Sequence, residues 1–206
     1  MRASDHYPDG WGNLPSVTQV LGVIASPALM AWLRRTSSQQ IQQVSDKALD
    51  IGSTVHQACQ DILLGKSPAV ETSYPEEIQS CISAFLKFIK DKKIVPLHTE
   101  LKMMSRELGY KGTADNIVMI DDCLAQFEWK TSKAIYESYP LQAIAYARLF
   151  EFEHKRHIKE NWIIRLGKEK AELETYLIPK EKEAYLFETF NHALAIYNWQ
   201  QKEKTK

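Results

Sequence analysis

The sequence lacks both the long apolar run of a membrane protein and the cysteine pattern of a disulfide-rich one. No segment approaches about 18 consecutive apolar residues, and the opening MRASDHYPDGWG lacks the charged and then apolar order of a signal peptide. We therefore expect a cytoplasmic protein without a membrane-spanning helix. The three cysteines, Cys59, Cys81 and Cys123, are far apart and odd in number, which argues against a disulfide framework or a CxxC metal site. We expect buried free thiols.

The chain also lacks an excess of either charge. Its 26 lysine and arginine residues balance 26 aspartate and glutamate residues. The net charge therefore does not indicate a nucleic-acid partner, and any such partner must be held by a local patch. With 206 residues, of which 44% are hydrophobic, the composition suits one globular domain over residues 1–206.

The spacing of apolar residues predicts helices on either side of a group of strands. Residues 1–15, rich in Gly, Pro and Asp, suit an irregular N-terminal arm. Two short helices are predicted after Ser16, and two longer amphipathic helices in DKALDIGSTVHQACQDILLGK and PEEIQSCISAFLKFIKDKK. Further helices are predicted over 136–152 and 179–197, with a frayed tail over 200–206.

From Val95 the apolar pattern changes to the alternation typical of strands. The stretches VPLHTELKMMSREL, YKGTADNIVMI and CLAQFEWKTS are separated by Leu108-Gly109 and Asp121-Asp122, which predicts a three-stranded antiparallel meander. IKENWIIRL and ELETYLIP predict a final pair of strands after the next helix. The predicted class is α/β, with a central mixed sheet that contains the meander and is flanked by helices.

The second and third strands of the meander carry two carboxylates and an ammonium. If their hairpin closes on a two-residue turn at Asp121-Asp122, Asp115 lies directly opposite Glu128. Lys130, two residues further, then points to the same face. The three charged groups are therefore predicted to share one patch.

The register of the first hairpin adds two more charged residues to that patch. If it turns on Leu108-Gly109, Lys102 faces Asp115, and Glu100 joins the same side. Carboxylates this close repel each other unless a cation holds them, and their oxygens suit Mg²⁺ or Mn²⁺. A lysine beside such an ion can position water or neutralise charge on a phosphate, which describes metal-assisted phosphodiester hydrolysis. The alternative is an exposed sheet face with cross-strand ion pairs, each worth about 0.2–1 kcal/mol.

Five motifs resemble those of a RecB-type nuclease of the PD-(D/E)XK superfamily, and they follow one another along the chain in that family's order. GYKGTAD ends in Asp115, and FEWKTS carries Glu128 and Lys130. IGSTVHQACQDIL resembles the family's Gly-x-x-x-His helix, HTELKM supplies a glutamate before the catalytic hairpin, and YPLQAIAYARLFE resembles its Gln-x-x-x-Tyr helix. PSVTQVL and ALMAWLRR resemble the leader segment of many phage and prophage members, so that the resemblance extends from Ser16 to Phe150. It implies a restriction-endonuclease-like core.

The resemblance implies a role for each residue of these motifs. Asp115 and Glu128 would bind the metal, with the carbonyl of Trp129 as another ligand, and Lys130 would activate or position the water. His56 and Glu100 would complete or support the metal site. Gln142 and Tyr146 would orient the lysine or hold a DNA phosphate. Thr131 and Ser132 would contact phosphate through their hydroxyls, or only end the strand.

The activity implied by the resemblance is that of a Mg²⁺- or Mn²⁺-dependent deoxyribonuclease, an exonuclease rather than a sequence-specific endonuclease. No helicase motif GxxxxGK[ST] is present, so the chain is expected to be a stand-alone nuclease module acting on DNA. No cysteine follows Cys123, and we therefore expect no iron–sulfur cluster of the kind that some RecB-type nucleases hold. Two alternatives stay open: a non-catalytic nucleic-acid-binding module that retains the nuclease fold, and a protein-interaction module. The residues favour no particular oligomeric state.

Overall fold

The computed structural model of the protein describes residues 12–24, 26–66 and 74–204, which form a five-stranded mixed sheet with helices on both faces. The helices are α1 (Val17–Leu21), α2 (Pro27–Arg35), α3 (Ser38–Leu63), α4 (Glu76–Ile89), α5 (Ser138–His154) and α6 (Lys180–Lys204). The strands are β1 (Ile94–Ser105), β2 (Tyr110–Ile120), β3 (Cys123–Lys130), β4 (Glu160–Leu166) and β5 (Leu173–Leu177). They lie side by side in chain order. Only the β3–β4 pair among them is parallel, so the predicted mixed sheet with an antiparallel meander is confirmed.

Two helices are longer than the sequence predicted. α3 begins at Ser38, because Ser37 and Gln40 form a reciprocal cap in which each side chain accepts from the other residue's backbone N–H. α6 continues through Lys204, so the prediction of a frayed tail was wrong for residues 200–204. Residues 1–11 of the predicted N-terminal arm lie outside the described residues.

Among the described residues, three apolar clusters hold the helices against the sheet; the smallest joins α5 to β4, and the two larger ones lie on opposite faces. α3 and α4 pack on one face, which we call the α3 face, around Phe127 and Trp129 of β3. α1, α5 and α6 pack on the other, which we call the α5 face, around Ile117 of β2 and Phe150 of α5. Burial of these side chains on both faces supplies the main driving force for folding.

Two simpler predictions concern the cysteines and the membrane. The three cysteines are free thiols; Cys59 and Cys81 are buried, as predicted, and Cys123 is partly exposed. Within the described ranges, none of the helices combines the length and the apolar character needed to cross a membrane.

The alternation of side chains along β1 and β2 is interrupted at one level of the sheet. Gly112 and Ala114 of β2 face the α5 side, and Ile117, three residues after Ala114, faces the same side. At the same level of β1, Glu100 has a φ of 50°, a left-handed conformation that residues other than glycine seldom adopt. Because of this interruption, simple alternation along β1 and β2 does not predict the faces on which Glu100 and Asp115 lie.

Candidate active site

The hairpin of β2 and β3 has the predicted register. Ile120 pairs with Cys123, and the ladder continues to the pair of Asn116 and Phe127. Both residues of the turn, Asp121-Asp122, have positive φ values of 47° and 65°, as a tight hairpin turn requires. Asp115 and Glu128 are therefore the next residues on the two strands.

The hairpin of β1 and β2 differs from the predicted register by two residues. Ser105 pairs with Tyr110 and Lys102 pairs with Thr113, so the prediction that Lys102 faces Asp115 was wrong. The chain turns over residues 106–109, where the Ser105 hydroxyl accepts a hydrogen bond from the N–H of Leu108 at 3.0 Å. Glu100, between residues that pair with Asn116 and Ala114, lies level with Asp115 instead.

Asp115 and Glu128 bridge the two strands at the point where the ladder ends. Oε1 of Glu128 accepts from the N–H of Asp115 at 3.1 Å, and Oδ2 of Asp115 accepts from the N–H of Trp129 at 2.9 Å. Each carboxylate thus satisfies a backbone donor of the opposite strand. We call this reciprocal pair the carboxylate clasp. It explains structurally how the sheet accommodates two acids at neighbouring positions.

Three of the predicted ligand residues converge on the α3 side of the clasp. One ligand atom each from His56, Glu100 and Asp115 lies within 4.8 Å of the other two. Nδ1 of His56 is 3.6 Å from Oδ1 of Asp115. An imidazole nitrogen with two carboxylate oxygens fits a small divalent cation such as Mg²⁺ or Mn²⁺, with further positions left for water and phosphate oxygens.

Trp129 fixes the orientation of the imidazole. Nε2 of His56 lies 3.2 Å from the carbonyl oxygen of Trp129, and the imidazole ring meets the indole edge-on with centroids 5.6 Å apart. A proton on Nε2 donates to that carbonyl and leaves the lone pair of Nδ1 facing Asp115. The carbonyl thus positions His56 within the cluster of ligand residues. Its direct contact with a metal stays a prediction.

Glu128 and Lys130 lie on the opposite side of the clasp from His56, so the prediction that they share one sheet face with Asp115 was wrong. Trp129 packs against Phe85 on the α3 face, so strand alternation directs Glu128 and Lys130 to the α5 face. Nζ of Lys130 is 3.3 Å from Oε2 of Glu128 and 5.2 Å from the centroid of the Tyr139 ring of α5. Glu128 is not one of the three clustered ligands, and its contact with a metal stays a prediction.

Burial and mutual repulsion set the charge states of these acids. Burial of Glu128, which is 1% exposed, raises the pKa of its carboxyl well above the usual range, and Asp115 adds to the rise. Burial opposes the charge on Lys130, but Glu128 and Asp115 outweigh it and raise the pKa of the ammonium. Partial burial, together with Asp115, raises the pKa of Glu100 to about 7. Ionising these acids together is therefore unfavourable in the metal-free protein, and a bound cation would relieve that repulsion.

Because Glu100 must lose its proton to bind a metal, we expect Mn²⁺ affinity to rise between about pH 6 and pH 8. Calorimetry in two buffers of different ionisation enthalpy should detect proton release on binding, and Glu100→Gln should abolish most of it. In the metal-free protein the stabilising contribution of Glu100 is complete below its ordinary pKa and is lost as the pH rises through about 7. Equal Mn²⁺ affinity at both ends of this pH range would contradict the role of Glu100.

The helix after β3 brings Gln142 and Tyr146 into contact. Nε2 of Gln142 donates to the Tyr146 hydroxyl at 3.0 Å, which one helical turn of separation allows. The ring of Tyr146 is buried over Gly112 of β2, on the strand that carries Asp115. The pair therefore supports the catalytic hairpin from the α5 face, and its contact with phosphate or with the lysine stays a prediction.

Thr131 and Ser132 follow the last residue of β3. The Ser132 hydroxyl donates to the carbonyl of Ala134 at 2.8 Å, so it shapes the loop at the end of the strand. Oγ1 of Thr131 lies 3.7 Å from the position that a Cβ on Gly52 would occupy, which brings α3 close to the end of β3. Contact of either hydroxyl with phosphate stays a prediction.

Tyr139 is the site residue that the sequence prediction missed. Its ring lies beside Lys130, and it belongs to the first turn of α5. The available signal was the pair of tyrosines three residues apart that follows the lysine, Tyr136 and Tyr139. Tyr136 lies in the loop just before α5, and its ring meets that of Tyr139 edge-on.

Comparison with known proteins supports the fold. No protein-family model matches the sequence, and a search of curated proteins finds no match. The structure is similar to the crystal structure of a protein called "Putative exonuclease" from Eubacterium rectale, with a TM-score of 0.53 and 12% identity over 96% of this chain and 86% of that one. The fold is restriction-endonuclease-like. The crystal structure of SSO0001 matches with a TM-score of 0.43 and 14% identity over 91% of this chain and 78% of that one.

Proposed function

We propose that the protein is a metal-dependent nuclease that hydrolyses the phosphodiester bonds of DNA, a member of the RecB-type PD-(D/E)XK nucleases and an exonuclease. The observation that supports it is the convergence of His56, Glu100 and Asp115 on one side of the carboxylate clasp, with Lys130 on the other side of it. These are the ligand types and the ammonium that metal-assisted phosphodiester hydrolysis needs. The neighbour from Eubacterium rectale, called an exonuclease, agrees with this proposal.

In this proposal His56, Glu100 and Asp115 hold Mg²⁺ or Mn²⁺, and Glu128 holds the backbone of Asp115 in place. A bound ion of this kind supplies positive charge to phosphate oxygens and acidifies water. Trp129 holds His56 in the tautomer that leaves Nδ1 free to bind the ion.

Lys130 acts in this proposal as a fixed positive charge rather than as a general base. Glu128 and Asp115 raise the pKa of its ammonium, so the side chain is protonated at neutral pH. Glu128 accepts a hydrogen bond from Nζ, and the ring of Tyr139 lies beside it. The ammonium is thereby held where it can orient water and stabilise charge that develops on the phosphate in the transition state.

Cleavage of end-labelled linear DNA beside a covalently closed circle tests this function. We expect degradation of the linear substrate alone, with Mg²⁺ or Mn²⁺, and none with EDTA. Cutting of the circle would assign an endonuclease. Binding without cutting of either substrate would contradict the nuclease proposal and favour a non-catalytic nucleic-acid-binding module.

Asp115→Asn should weaken Mn²⁺ binding by at least about tenfold, because it removes one of the two anionic ligands of the cluster. The amide oxygen can still accept from the N–H of Trp129, and the backbone N–H at position 115 still donates to Glu128, so the clasp keeps both of its bonds. Titration calorimetry measures the affinity. Asp122→Asn is the matched control, since Asp122 lies in the turn of the same strand pair with a side chain 85% exposed. Equal Mn²⁺ affinity in the Asp115→Asn protein would contradict the assignment.

A further inference from the structure

A chain of ring contacts links Lys130 to an exposed tyrosine. Nζ of Lys130 lies 5.2 Å from the ring centroid of Tyr139, which in turn meets the ring of Tyr136 edge-on with centroids 5.5 Å apart. Tyr136 is 50% exposed. About half of this tyrosine's surface is therefore open to solvent, two ring contacts away from the ammonium of the proposed site.

The loop that carries Tyr136 is held at three points. The Ser132 hydroxyl donates to the carbonyl of Ala134 at 2.8 Å, and the N–H of Tyr139 donates to the carbonyl of Tyr136 at 3.0 Å. Ile135 packs into the apolar cluster formed by α5 and β4. Because the loop is fixed before any partner arrives, Tyr136 can bind a planar group with little loss of conformational entropy.

An exposed tyrosine alone needs no functional explanation. Tyr185 on α6 is more exposed, at 68%, and is an ordinary surface residue. Tyr136 differs because its ring contacts the residue that lies against Lys130, and because the exposed Lys133 is on the same loop. A flat ring with a nearby cation is the combination that binds a base and its phosphate.

We propose that Tyr136 stacks on an unpaired base next to the phosphodiester bond that is cleaved, so that the site takes single-stranded DNA in preference to duplex. In a duplex, neighbouring base pairs cover both faces of an internal base, whereas an unpaired base presents a face to an aromatic side chain. Lys133 supplies positive charge for the adjoining phosphate. The proposal rests on the proposed nuclease function for the identity of the bond cleaved, but the stacking itself does not require cleavage.

Binding of a single-stranded oligonucleotide with a terminal 2-aminopurine, measured in EDTA, tests the stacking separately from catalysis. We expect quenching of the base fluorescence by the wild-type protein, and about tenfold weaker binding with loss of quenching in Tyr136→Ala. Tyr136→Phe retains the ring and should behave as wild type, as should the matched control Tyr185→Ala. With Mg²⁺, Tyr136→Ala should slow cleavage of the single strand about tenfold and leave cleavage of the duplex unchanged.

The outcomes separate this inference from the proposed function. Wild-type binding and quenching by Tyr136→Ala would overturn the stacking, even if the protein cleaves DNA. Equal loss of cleavage for single strand and duplex would overturn the strand preference. If the wild-type protein cleaves neither substrate while Tyr136→Ala still loses binding and quenching, the nuclease function fails and the stacking stands. If the wild-type protein neither binds nor cleaves DNA, both proposals fail.

Discussion

Lys130→Ala will lower the rate of DNA cleavage by at least about 10²–10³-fold while the protein remains folded. The variant loses the only ammonium that contacts Glu128 in the described part of the chain, and with it the charge that the transition state requires. Substrate binding through the remaining phosphate contacts should change little, so the loss is expected in kcat rather than in KM. Single-turnover cleavage of labelled DNA in saturating Mg²⁺ measures it.

The buried neighbour of Lys130 determines how well this variant folds. Without the ammonium, Glu128 would be a buried carboxylate, 1% exposed, with no cation beside it. Its already raised pKa would rise further, which favours the protonated carboxyl. Circular dichroism should therefore show a folded protein that is less stable at high pH than at low pH. Lys182→Ala removes an exposed lysine of α6 that has no part in the proposed site and is the matched control for cleavage. Cleavage by Lys130→Ala within tenfold of the wild-type rate would refute the mechanism.

Gly112→Ala will destabilise the protein by about 1–3 kcal/mol, because it overpacks a buried contact of the catalytic hairpin. A Cβ on Gly112 would lie 2.8 Å from Cδ1 of Tyr146 and 3.2 Å from Cγ2 of Val17. The ring of Tyr146 is buried, and its hydroxyl is held by Gln142. The ring cannot move away without breaking that bond, so urea unfolding should show a lower free energy of unfolding.

Gly52→Ala is the matched control, with the opposite expected result. A Cβ at that position of α3 would have Thr131 Oγ1 as its nearest neighbour, at an ordinary contact distance of 3.7 Å. Alanine is favoured over glycine inside a helix by about 0.8–1 kcal/mol, so this variant should be as stable as the wild type or more stable. A Gly112→Ala protein as stable as Gly52→Ala would show that β2 and α5 are not packed as described.

The parts of the site that depend on short-range geometry could be predicted from the sequence. The two-residue turn at Asp121-Asp122 fixes the register of its hairpin, and that register alone places Asp115 opposite Glu128. The i, i+4 spacing of Gln142 and Tyr146 likewise fixes their contact once α5 is recognised as a helix.

The parts that depend on long-range packing could not be predicted. The first hairpin contains a four-residue turn closed by the Ser105 hydroxyl, a local bond that competes with the two-residue turn assumed at Leu108-Gly109. The positive φ of Glu100 interrupts strand alternation, and propensity gives no reason for a glutamate to adopt it. The face on which Glu100 and Asp115 lie is decided by α3, which is distant in sequence.

The carboxylate clasp also determines which residues mutational drift would replace first if selection for activity were relaxed. Asp115 and Glu128 satisfy backbone donors of the opposite strand, so selection for folding alone would retain a side-chain oxygen acceptor at both positions. Glu100, by contrast, has a left-handed φ, which costs a residue other than glycine free energy in the folded state. An inactive descendant would therefore keep an acid or its amide at positions 115 and 128 and exchange Glu100 for glycine or asparagine, so the residue at position 100 is the better marker of a working site.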